Sequence, residues 1–193
     1  MGLNVSEAGK LKVAFVGSHG VGKTTLCYGL AARLKARDVV LEVIHEVARR
    51  CPLPINEETG VASESWILHS QIAEEVVAAQ RYPVVICDRS ALDNYVYLLL
   101  AAGPQEGLEL LVNYWMKTYD LLVQVPVVDE PSADGFRTTD PEFQRRVDER
   151  LTRELSDRGL EAKRLSPERR ADWLDEAEEL VWNRVRPRQL SLL

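Results

Sequence analysis

Residues Gly17-Ser18-His19-Gly20-Val21-Gly22-Lys23-Thr24 have the spacing GxxxxGK[ST] and stand directly behind the apolar run Val13-Ala14-Phe15-Val16. Glycines in such a loop let the backbone curl around an anion with its N–H groups turned inward. A helix that begins behind the loop adds the partial positive charge of its N-terminus. Lys23 has the reach for β- and γ-phosphates, and the Thr24 hydroxyl is placed for the Mg²⁺ that accompanies them. Gly17 through Thr25 is therefore the expected nucleotide-binding segment, with ATP and Mg²⁺ as the expected cofactors. His19 fills a free position of the pattern and is read as a spacer.

Further candidates stand where strands are expected to end. Ile44-His45-Glu46-Val47-Ala48-Arg49-Arg50 carries Glu46 out of an apolar run, where it can accept a proton from a substrate hydroxyl or simply begin a helix at the surface. Val85-Ile86-Cys87-Asp88-Arg89-Ser90 ends abruptly in charge. Half-buried charges are costly unless paired or bound. Asp88 is expected to hold the Mg²⁺ hydration shell with Thr24, and Arg89 to clamp an anionic or hydroxylated substrate; the alternative is a structural pair capping the next helix. The polar insertion Asp129 to Thr139 reads as a lid over about 129–146, with Arg137, Arg145 and Arg146 able to close on a transferring phosphoryl group. Arg145 and Arg146 fit a solvated helix face equally well. Trp66, His69, Gln71, Tyr95 and Tyr97 can stack on and read a ring, or can be core. Glu46, Arg49, Trp66, Arg89 and Tyr95 make up the candidate acceptor-binding set. Lys23, Glu46, Asp88, Arg89 and Arg137 are the candidate catalytic set.

These residues need a scaffold that gathers strand ends. Short apolar or β-branched runs at Leu11–Val16, Val39–Ile44, Val84–Cys87, Leu121–Val125 and Leu160–Leu165 read as buried strands. Helical patterns alternate with them near Lys23–Arg37, Ser63–Gln80, Leu92–Ala102, Leu108–Tyr119, Pro141–Arg158 and Pro167–Val185. Such alternation predicts an α/β fold, a five-stranded, mostly parallel sheet with helices on both faces, whose ligands collect beyond the carboxyl ends of the strands. Trp115, Trp173 and Trp182 are assigned to packing. Asp140-Pro141 marks a helix start through an N-cap and a proline at the first helical position.

With 193 residues, 46% hydrophobic and 28% charged, the chain is expected to form one domain, residues 1–10 and 187–193 being flexible tails. A net charge of −6 argues against a surface built for nucleic acid. Cys27, Cys51 and Cys87 have neither an even count nor metal-ligand spacing, so reduced thiols and a cytoplasmic location are expected. No stretch approaches a membrane span. The expected partner is a small molecule, and the expected assembly is a monomer or homodimer.

Together, the phosphate loop, Glu46 in His-Glu-Val-Ala-Arg, Asp88-Arg89-Ser90-Ala91-Leu92-Asp93 and Asp134-Gly135-Phe136-Arg137 resemble the small P-loop kinases related to the ribosylnicotinamide kinase domain of the bifunctional NAD-biosynthesis regulator. The resemblance runs from about Lys12 to Asp172. The chain is also similar to deoxynucleoside kinases, which have a carboxylate after the second strand and an acidic-Arg-Ser triplet closing the third. The resemblance implies Glu46 as base, Arg89 as clamp and Arg137 as lid arginine, in an ATP-dependent phosphotransferase acting on a hydroxyl of a nucleoside or ribosylated pyridine. Asp88 stands where the deoxynucleoside kinases usually have Glu, which favours the nicotinamide-riboside side. Rival readings are a nucleoside monophosphate kinase, which needs more arginines at the acceptor phosphate than Arg49, Arg50 and Arg89, and a 5′-polynucleotide kinase, which needs a basic groove. A nucleotide-controlled switch belongs to another class. No Asn-Lys-x-Asp motif marks a GTPase.

Overall fold

The computed structural model describes residues 10–55, 58–130 and 139–185. The strands β1 (Leu11–Val16), β2 (Leu41–Ile44), β3 (Val84–Asp88), β4 (Leu121–Gln124) and β5 (Ala162–Arg164) form one sheet in the order β2-β3-β1-β4-β5. Every neighbouring pair is parallel. β1, β3 and β4 are buried along their whole length, which is why they read as continuous apolar runs rather than alternating ones. β5 is a short edge strand whose residues are half-buried or exposed, unlike the buried strand expected there.

The helices are α1 (Lys23–Lys35), α2 (Val61–Arg81), α3 (Ala91–Ala102), α4 (Glu106–Met116), α5 (Pro141–Asp157) and α6 (Trp173–Val185). On one face of the sheet, α1 and α6 enclose Val13, Phe15, Ile86 and Val123 with Leu30, Leu34, Trp173 and Val181. On the other, α2 to α5 cover Ala14, Val16, Val85 and Cys87 with Leu68, Leu92, Val112 and Leu151. This three-layer arrangement is the one the element order predicted.

Register decides what meets at the strand ends. Phe15 pairs with Asp88 and Ile44 with Cys87, so the residues following β1, β2 and β3 emerge along the same edge. Helix starts hold that edge in place. Ser90 caps α3 by accepting from the Asp93 N–H, while Asp93 accepts in return from Ser90 N–H at 2.8 Å. Asp140 caps α5, accepting from the Glu142 N–H at 2.9 Å with Pro141 in the first turn, as the sequence indicated.

Several bounds differ from the expectation: β2 begins only at Leu41, β5 spans Ala162–Arg164, and α4 runs earlier, from Glu106 to Met116. The terminal pattern from Pro167 is not one helix but a 3₁₀ stretch (Pro167–Asp172) followed by α6, with Arg169 out of helical conformation at φ −114°. The break lets Trp173 turn into the core while its indole N–H donates to Ser166 O at 2.7 Å. At the other end, Lys10, expected in a flexible tail, donates from Nζ to Ala79 O at 2.7 Å. Residues 1–9 and 186–193, and 131–138 within the expected lid, lie outside the described residues.

Candidate active site

The loop behind β1 has Gly17, Gly20 and Gly22 at φ of +150°, +77° and +96°. At Gly17 the demand is steric as well, because a Cβ there would stand 2.6 Å from Val125 O. Gly22 begins α1 in a left-handed conformation without a side-chain cap, so the first amides of α1 face the loop, as an anion site requires. Lys23 is buried, its ammonium donating to Gly17 O at 2.8 Å and Ser18 O at 2.5 Å. Burial, with help from the Arg89 guanidinium, pushes the Lys23 ammonium down to about 8 against the pull of Asp93, Asp88 and Glu46. A nearby polyanion would raise that value again.

Thr24, in the first turn of α1, donates from its hydroxyl to Asp88 Oδ2 at 2.6 Å. Asp88 Oδ1 is buried with no hydrogen-bond partner. An acceptor left in that condition fits a donor that the protein itself does not supply, such as a water on Mg²⁺. Among the described residues no group of three or more His, Cys, Asp and Glu side chains is placed to hold a metal.

Glu46 and Arg89 meet beside this nest. Glu46 is 4% exposed, and its Oε1 accepts from Arg89 Nε at 2.8 Å while Oε2 accepts from Arg49 Nε at 3.0 Å. Arg89 lies over the Tyr97 ring at 4.9 Å. His19 joins the same group, its Nδ1 3.1 Å from the Tyr97 hydroxyl and its ring 5.8 Å from that of Phe143. Its carbonyl accepts from Gln144 of α5 at 2.8 Å. His19 is thus more than a spacer: it joins the phosphate loop to α5. Asp93 makes a second bridge, accepting the Gly17 N–H at 2.9 Å while it boxes Ser90, so the loop and the Arg89 turn share one carboxylate.

The aromatic candidates separate. Tyr95, expected at the acceptor, is 1% exposed in the core beneath α3, with Arg158 over its ring at 5.6 Å and its hydroxyl accepting from Gln105 N–H. This corrects the expectation: residues two apart on a helix point to opposite sides, and Tyr97 is the one at Arg89. Trp66 is half-buried on α2 and belongs to neither core cluster. His69 is exposed and bonded to Ser65 O of its own helix at 2.7 Å. Arg145 and Arg146 are exposed on α5. Thr25 is exposed on the first turn of α1, and Val21 is buried in the core. Arg137 lies outside the described residues.

The sequence did not point to Glu64. This α2 carboxyl is buried and accepts from the Thr59 hydroxyl at 2.7 Å. Burial raises it to about 7, although Thr59 and the charge of Arg89 pull it down. The available signal was a helical stripe, since Glu64, Ile67, Leu68, Gln71, Glu75 and Ala78 all face inward from α2.

The sheet order, the glycine loop at the exit of β1 and the Thr24–Asp88 pair define a P-loop nucleotide-binding domain. Residues 12–173 match the sequence family described as an AAA domain, and the chain belongs to that family. No curated protein matches it in sequence. Among solved structures it is similar to NadR protein in complex with NR, with a TM-score of 0.72 and 21% identity over 91% of this chain and 50% of that one. The complex of NadR with NAD and AMP-PNP gives 0.67 and 22% over 94% and 52%, so the chain spans about half the length of NadR. Deoxyadenosine kinase from M. mycoides with bound dATP gives 0.62 and 13% over 90% and 97%. Thymidylate kinase from Ehrlichia chaffeensis gives 0.63 and 18% over 91% and 98%. At these identities the likeness is one of fold, and it agrees with the resemblance in the motifs. Among the described residues no helix is long and apolar enough to cross a membrane.

Proposed function

We propose that the chain is an ATP- and Mg²⁺-dependent phosphotransferase acting on a hydroxyl of a nucleoside or ribosylated pyridine. The observation that carries this reading is the adjacency of two constellations, the Thr24–Asp88 pair joining the start of α1 to β3 and the buried Glu46–Arg89 pair following β2 and β3. One suits the polyphosphate and the other an acceptor. NadR, crystallised with NR and with AMP-PNP, and the deoxyadenosine kinase share the fold and lend the substrate class.

Lys23 leaves the loop carbonyls for the β- and γ-phosphates, and the amides at the start of α1 take the remaining charge. Thr24 and, through water, Asp88 would hold Mg²⁺, which would supply neutralising charge for the phosphates. Glu46 takes the proton from the acceptor hydroxyl as that oxygen bonds to the γ-phosphorus, and the bond from phosphorus to the ADP oxygen breaks. Arg49, whose side chain is 40% exposed, swings from Glu46 to admit the acceptor. Arg89 orients the acceptor and, with Arg137 from the lid, offsets transition-state charge.

Phosphate-bearing acceptors fit less well. Arg49 and Arg89 are engaged with Glu46, and Arg50 with Glu74 at 2.5 Å. A second phosphate would meet carboxylates beside each of these arginines. The test is acceptor-stimulated ADP release with nucleosides, nicotinamide riboside, nucleoside monophosphates and a 5′-hydroxyl oligonucleotide. Stimulation by an unphosphorylated nucleoside or riboside is expected. Stimulation by monophosphates alone, or by none of them, overturns the reading.

A further inference from the structure

Arg89 adopts φ +95°, a left-handed conformation that a side-chain-bearing residue rarely takes without support. Its peptide is pinned on every side. The Arg89 N–H donates to Phe15 O at 3.2 Å, the Arg89 carbonyl accepts from Gln71 Nε2 at 2.9 Å, and the next N–H, of Ser90, goes to Asp93.

Gln71 is wholly committed to this task. It is buried on α2, and the same Nε2 that serves Arg89 donates to Glu75 Oε1 at 2.9 Å, while its Oε1 accepts from Asn94 Nδ2 at 2.5 Å. Both amide protons and the oxygen therefore have partners. The direction of the amide is forced as well. Glu75 offers only acceptors and is itself fixed by Lys12 Nζ at 2.9 Å, Trp115 Nε1 at 2.7 Å and the Tyr119 hydroxyl at 2.7 Å, so Gln71 must turn its NH₂ that way.

We propose that Gln71, oriented by Glu75 and Asn94, is a positioning residue that locks the strained Arg89 turn and so fixes where the guanidinium meets Glu46 and the acceptor. The catalytic consequence rests on the reading of Arg89 as the acceptor clamp. Without the Gln71 amide the buried carbonyl has no donor, and the peptide relaxes toward ordinary dihedrals with the side chain re-aimed.

The test replaces Gln71 by Met, which keeps length and bulk but donates nothing. Its first readout is the Nε–H resonance of Arg89, assigned by its loss in Arg89→Lys and protected in the wild type by Glu46. In Gln71→Met this signal should shift or exchange with solvent at least about tenfold faster. Asn94→Ala, which only frees the amide oxygen, should move it the same way by less, and it serves if Gln71→Met does not fold. The second readout is turnover. Gln71→Met should lower kcat about tenfold with nucleotide affinity unchanged, and should cost nothing further in an Arg89→Lys background. An unchanged Arg89 signal in Gln71→Met, or in Asn94→Ala where only that variant folds, overturns the proposal. So do losses that simply add. If no acceptor supports turnover in the wild type, the kinase reading fails while the Arg89 signal still decides the role of Gln71.

Discussion

Two buried ion pairs flank the central strands, and they are built to opposite specifications. Glu75, 0% exposed, accepts from Lys12, Gln71, Trp115 and Tyr119, and Lys12 Nζ sits 4.5 Å from the centres of both the Trp115 and Tyr119 rings. These donors satisfy both of its oxygens, and neither Lys12 nor Glu75 itself has a strained backbone. The Glu46–Arg89 pair stands instead on a residue at φ +95°, beside an Asp88 oxygen with no partner and a lysine pushed down to about 8. Saturation marks a pair that holds the fold. Strain and unmet valence accompany the pair proposed above to meet the acceptor.

The contrast breaks if either pair behaves like the other. Glu75→Gln, which leaves Lys12 buried without its carboxylate, should cost about 3–5 kcal/mol of stability by denaturant unfolding. A Tm within a degree or two of the wild type would show that the saturated pair is dispensable. Arg137→Ala should lower kcat on the order of a hundredfold with nucleotide affinity kept, and unchanged kcat would make Arg137 an ordinary surface residue.

Glu64→Gln tests the acceptor side of the contrast through pH. Because burial raises this carboxyl from 4.5 to about 7, its contribution to stability is fully present below pH 4.5 and is lost as pH rises through 7. The amide keeps the Thr59 hydrogen bond without the charge, so the variant should be more stable than wild type at pH 8, by on the order of 1–2 kcal/mol, and not at pH 4. Equal stability at both would contradict the burial account. The smallest effect concerns Lys23, whose lowered value destabilises the fold fully below pH 8 and progressively less up to 10.5. Triphosphate favours the ammonium, so calorimetry in buffers of different ionisation enthalpy should record proton uptake on binding at about pH 8.5, fading toward neutrality. Buffer-independent heats at both would show that the phosphates do not reach Lys23.

The same contrast explains what the sequence disclosed. The phosphate loop is legible because its pattern lies in contiguous residues, and the placing of Glu46, Asp88 and Arg89 together because parallel strands bring their carboxyl ends to one edge. Glu64, Gln71 and Glu75 were hidden because their meaning depends on which face of α2 turns inward, and a 21-residue helix offers several choices. Reading Gln71 beside Trp66 and His69 as part of a ring-binding group overlooked that stripe. Tyr95 and Tyr97 show the same limit on α3. Only packing tells which tyrosine reaches Arg89, and α3 turns Tyr97 there while buried Tyr95 faces Gln105 and Arg158. The kink at Arg169 was equally non-local, since it serves the seating of Trp173.

The most direct test of the central claim is Glu46→Gln, with ATP affinity and acceptor-dependent ADP release measured on the same preparation. The Glu46–Arg89 account predicts ATP binding within about twofold of wild type and turnover reduced by roughly 10²–10⁴. Turnover at the wild-type rate would contradict it.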